Sequence, residues 1–123
     1  MGIDIYTHWT GQTKASKHEQ TAAWLTNCAG GAGYLREAYH GTPYATKFLV
    51  AEAFESGKAQ IKAAVLRKRL PHTLALVEQR ERKLYQSTDK EIEGVKDSFR
   101  AFVALCEKME RQTGEPVFVI ASY

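Results

Sequence analysis

Cysteine is scarce. The only two, Cys28 and Cys106, match no CxxC or zinc-ligand spacing, which excludes a disulfide scaffold and a thiolate metal centre. In a reducing compartment both read as small core residues. No run approaches the ~18 consecutive apolar residues of a membrane span, so no membrane partner is expected. The opening Met1-Gly2-Ile3-Asp4-Ile5-Tyr6 has neither a basic nor an apolar leader region, and Tyr6 stands where a myristoylation motif needs Ser or Thr. A cytoplasmic location is the expectation. The four histidines, His8, His18, His40 and His72, form no HxH or HxxxH pair, so neither a metal nor a cofactor is expected. There is no GxSxG elbow, no phosphate-binding glycine fingerprint and no nucleic-acid motif.

What is present fits one folded unit. A chain of 123 residues falls in the one-domain range, so a single globular domain over 1–123 is expected. At 44% hydrophobic and 25% charged it is too apolar to stay disordered. The net charge of +3 is mild, but it is unevenly spread. Residues 58–86 carry Lys58, Lys62, Arg67, Lys68, Arg69, Arg80, Arg82 and Lys83 against Glu78 and Glu81, while residues 87–115 lean acidic.

Periodicity places the elements. Ile3, Ile5, Thr7 and Trp9 alternate with Asp4, Tyr6 and His8, which predicts a strand closed by Thr10-Gly11. Ser16 and Glu19 have capping-box spacing, opening a helix over about 17–28 that carries Ala22 and Leu25, with Trp24 beside them. Gly30, Gly31 and Gly33 break the chain. A plain flexible loop is favoured there over an anion-binding turn. Tyr34 to His40 is long enough for two turns of helix, closed by Gly41-Thr42-Pro43. Residues 44–54 suit a strand or a helix equally. Ile61 to Leu66 suggests a short helix ending near Arg69, because Pro71 disfavours an α conformation before it and suits the first turn of a new helix. That helix runs to about Gln86. Thr88 and Glu91 form a second capping box, and Ile92, Val95, Phe99, Phe102, Cys106 and Met109 mark an amphipathic helix over 89–112. The tail Val117 to Tyr123 reads as a strand buried on both faces.

The fold class that follows is α+β. A small sheet is built largely from the N- and C-terminal strands and covered by a helical layer, including an antiparallel hairpin of helices 71–86 and 89–112. The stripe of the second helix also fits a dimer seam, so a homo-oligomer is an open alternative.

The residues able to do chemistry gather in the first third. Asp4, Tyr6 and His8 share one face of the first strand, and Arg36, Glu37, Tyr39 and His40 crowd the segment after the glycines. In a helix Glu37 and His40 would be i,i+3 neighbours, and a carboxylate beside a histidine suits acid–base work. A polar cluster pinning a loop explains the same residues as well or better. The function expected is therefore binding of a small ligand or a protein partner through the first-strand face and the 34–44 segment. One alternative is a small enzyme using His40 with Glu37 or Asp4. The other is a nucleic-acid accessory protein using the basic segment 58–83, with Arg67, Lys68 and Arg69 as its candidate residues, which the interrupting glutamates and low net charge disfavour.

Overall fold

The computed structural model describes residues 2–23 and 30–123. Four strands form one antiparallel sheet in the order β2-β1-β4-β3. These are β1 (Gly2–His8), β2 (Tyr34–Ala38), β3 (Lys58–Gln60) and β4 (Phe118–Ser122). The chain ends pair as expected, with Asp4 opposite Ser122 and His8 opposite Phe118. β1 also pairs β2, bringing Asp4 opposite Arg36 and Tyr6 opposite Tyr34.

Alternation in β1 sends Ile3 and Ile5 into the core, where they meet Leu35 and Val119. Over this face lie α2 (Ala45–Leu49), α3 (Ala51–Ser56), α4 (Ala63–Leu84) and α5 (Asp89–Thr113). α4 and α5 form the expected antiparallel hairpin, and Phe99, Phe102 and Val77 share the core cluster, with Leu74 and Val95 packed against it. The Thr88–Glu91 capping box is formed. Arg67 reaches Glu107 and Arg82 reaches Asp89, so basic groups of α4 meet acidic groups of α5 across the hairpin. Cys106 is buried, which lifts its thiol to about 12. Cys28, Trp24 and Leu25 lie outside the described residues. No helix among those described is long and apolar enough to cross a membrane.

Several expectations are corrected. Residues 34–38 are a strand, not a helix. Pairing with β1 puts Leu35 among Ile3, Ile5 and Val103, and this tertiary gain overrides the helix preference of Leu, Arg, Glu and Ala. Helix α4 does not break near Arg69 but runs through Pro71. Its buried stripe, Ala63, Leu66, Leu70, Thr73 and Val77, is continuous across the proline, and that burial outweighs one missing backbone bond. The ambiguous segment 44–54 is helical. Helix α1 (Lys14–Ala23) starts before Ser16. Thr13 Oγ1 accepts the Ser16 N–H (3.0 Å), so the cap lies one turn earlier than the Ser16–Glu19 spacing suggested. β4 is buried on one face only: Val119 is sealed, whereas Phe118 and Ile120 are half-exposed.

The glycine run serves close packing. A Cβ at Gly30 would lie 1.7 Å from the Ser98 carbonyl oxygen of α5, and one at Gly33 would lie 2.1 Å from Thr7 Oγ1. Gly33 also has φ +89°, a conformation open chiefly to glycine.

Candidate functional site

Antiparallel pairing keeps directly opposed side chains on one face. The face of the sheet turned away from α2–α5 therefore carries Asp4, Tyr6 and His8 of β1, Tyr34 and Arg36 of β2, Phe118 and Ile120 of β4, and Lys58 of β3. Four of the sequence candidates, Asp4, Tyr6, His8 and Arg36, come together here.

At the β2 side, Asp4 accepts hydrogen bonds from the Tyr34 hydroxyl and from Arg36 Nη1 (3.0 Å). Burial and the bond to Asp4 both push the Tyr34 hydroxyl above its usual range. The Tyr6 hydroxyl is raised too, by burial and then by the Asp4 charge. Tyr6 and Tyr34 pack at 5.2 Å between ring centres. This triad links the two strands and leaves neither charge alone.

At the other end, α1 closes over β1. Where Gly33 turns the chain away from the sheet, the Thr7 N–H is taken by Gln20 Oε1 (3.0 Å), and Thr7 Oγ1 donates to the Gly33 carbonyl (3.0 Å). A glutamine from α1 thus replaces a strand partner and fixes the helix beside the sheet. Between them lies a cleft of about 370 Å³ lined by Tyr6, His8, Gln12, Lys17, Lys58 and Ile120, together with Thr7, Gln20 and Thr21. Gln12 Oε1 can only accept, so His8 Nδ1 donates to it (2.8 Å), and Gln12 Nε2 donates onward to Ser16 Oγ (3.3 Å). Lys58 Nζ sits 4.7 Å from the centre of the Phe118 ring, a cation–π contact that steadies a long side chain.

The remaining candidates go elsewhere. Glu37 points to the opposite face of β2 and is nearly sealed. It accepts from Ala45 N (2.8 Å), Thr46 N (3.1 Å) and Thr46 Oγ1 (2.6 Å), and pairs with Arg80 Nε (3.1 Å). Arg80 spends its other donors on the carbonyls of Ala38 (3.0 Å), Pro43 (2.9 Å) and Gly41. Its guanidinium lies 4.9 Å from the Tyr44 ring centre. These groups pin the 38–46 loop to α4. His40 is exposed and lies against Tyr85, 5.3 Å between ring centres. Strand geometry separates it from Glu37, so the i,i+3 pair of a helix never forms. Tyr39 is exposed and meets Tyr44 edge-on at 6.0 Å. Beside the pin, Arg80, Glu81, Tyr85, Ser87, Val95 and Phe99 line a second cavity of about 350 Å³.

In the basic triplet, Arg67 donates twice to Glu107 (3.1 and 2.5 Å) and Arg69 twice to Glu52 (2.7 and 2.8 Å). Lys68 alone is exposed with no carboxylate partner among the described residues.

Sequence reasoning missed Gln12, Lys17, Lys58, Phe118 and Ile120. Lys58 and Phe118 had no shared signal, because they meet only through the short strand β3, whose three residues are too few for their alternation to be read. Comparison with protein-family models, with curated proteins and with solved structures finds no match.

Proposed function

We propose that this protein is a small binding protein whose recognition surface is the sheet face left uncovered by α2–α5. One observation carries the reading. Half-exposed Tyr6, His8, Phe118 and Ile120 stand on that face beside the lysines of the cleft, where a solvated sheet face would ordinarily be polar throughout. Aromatic rings with polar tips give contact area at low entropy cost, and the charged groups at the margin supply orientation.

The enzyme reading draws less support. Glu37 is saturated by four partners, and His40 stands apart from both Glu37 and Asp4, so no acid–base pair is available to it. The nucleic-acid reading through Arg67 and Arg69 is weakened by their forked pairing with glutamates, which already satisfies those guanidinium groups.

The test is an amide chemical-shift titration of the ¹⁵N-labelled protein against sets of neutral, cationic and anionic metabolites. Binding should shift the signals of Tyr6–His8, Phe118–Ile120 and Lys58. Shifts gathered instead around Tyr85 and Ser87, or no response to any compound, would overturn the proposal.

A further inference from the structure

We infer that the cleft between β1, β3 and α1 takes a small phosphate monoester, an inference that rests on the binding face proposed above. Lys17 and Lys58 both line it, from a helix and a strand distant in sequence, and no aspartate or glutamate is among the lining residues. Neither ammonium has a carboxylate partner among the described residues, where Lys96 is the one lysine that does. Two like charges lining one concavity repel each other, and an anion seated between them removes the repulsion and adds attraction. The matching charge is a dianion. A phosphate monoester carries about −1.5 to −2 at neutral pH and offers three acceptor oxygens, which fits better than a single carboxylate.

The rest of the cleft suits the organic part of such a molecule. His8 is held through Nδ1 by Gln12, and among the described residues nothing hydrogen-bonds its Nε2, leaving one oriented ring nitrogen for a ligand. Tyr6 and Ile120 supply an apolar wall. A space of about 370 Å³ lies within the range of small-molecule sites. Because Lys17 and Lys58 are exposed, binding depends on screened charges and weakens with salt.

The probes are inorganic phosphate, adenosine 5′-monophosphate and adenosine, followed by amide shifts in the full chain. The monophosphate should shift His8, Lys17 and Lys58, phosphate alone should shift the same signals more weakly, and adenosine should do so least. The double substitution Lys17→Gln/Lys58→Gln should weaken the monophosphate by about tenfold, the size of two exposed ion pairs, without altering the melting temperature. Raising salt from about 0.05 to about 0.5 M should weaken it as well. Equal binding by the double variant, or adenosine binding as tightly as its monophosphate, would overturn the inference. If neutral or cationic compounds shift Tyr6–His8 while the phosphates do not, the phosphate site falls and the binding face stands. If no compound shifts that face, both fall.

Discussion

Glu37 is a carboxylate almost cut off from water, and its partners join the start of α2 to Arg80 of α4. Removing the charge leaves Arg80 buried and unpaired, and losing one member of a buried pair costs about 3–5 kcal/mol. Glu37→Gln should therefore lower unfolding free energy by that order in urea titration. It should leave the sheet-face signals unshifted, because the side chain lies on the other side of β2. A cost below about 1 kcal/mol would mean that the loop is held by something else. His40 gives the opposite expectation. It rests on Tyr85 in the open, so His40→Ala should change stability by no more than about 0.5 kcal/mol. A larger loss in thermal unfolding would place the ring inside the pinning cluster after all.

At the scale of elements, the helical layer is tied by caps and ion pairs that respond to different variables. Thr88 accepts the Glu91 N–H and Glu91 returns to the Thr88 N–H, so Thr88→Ala should destabilise by about 1 kcal/mol, read from the shift in denaturant midpoint. No change would show that the hairpin turn is fixed by packing alone. The pair Glu52–Arg69 joins α3 to α4, and Glu107–Arg67 joins α4 to α5. Hydrogen bonds from the arginines hold both carboxyls below their ordinary value. A lowered folded-state pKa stabilises above the unfolded carboxyl value of about 4.3, and that stabilisation is lost as pH falls through the lower folded value. The melting-temperature gap between the parent and Arg69→Met should therefore be widest near neutrality and narrow toward about pH 3. It should not close fully, since Arg69 also donates to the Leu49 carbonyl (3.1 Å) at any pH. A gap independent of pH would remove the ion pair from the account.

For the whole molecule, the sheet order places β4 between β1 and β3, so the two ends of the chain close one ladder. Truncation after Phe118 would strip Val119 and Ile120 from the centre of the sheet and expose the Ile3–Ile5 face to water. It would also leave the backbone groups of β1 and β3 without partners. Such a variant should lack a cooperative thermal transition. Unfolding at the parent temperature would show that the helical layer is self-sufficient. The same topology explains the proposed site. With both termini in the middle strands and the helices drawn to one side, the opposite face is left to β1, β4 and the flanking α1.

The sequence alone determined the features whose signal is local or periodic. Ile3 and Ile5 alternate with Asp4, Tyr6 and His8, and this sufficed to place the first strand and its two faces. The three- and four-residue spacing from Ile92 to Met109 sufficed for α5, and Thr88 and Glu91 for its cap. Pairing of the chain ends followed because apolar strands must satisfy their backbone groups. Only the tertiary structure decided the rest. Tyr34–Ala38 has the composition of a helix and becomes a strand because β1 offers it a ladder and a core. Pro71 sits inside a helix because a continuous buried stripe outweighs one lost hydrogen bond. Glu37 and His40, which a helix would make neighbours, part: the first is buried against α4 and the second is exposed beside Tyr85. Lys17 and Lys58 line one cleft that no spacing in the chain encodes, since it arises from β3 pairing with β4 and from Gln20 anchoring α1 to Thr7. Long-range contacts like these depend on the free energy of the assembled layers, to which any short window of residues contributes too little to be read.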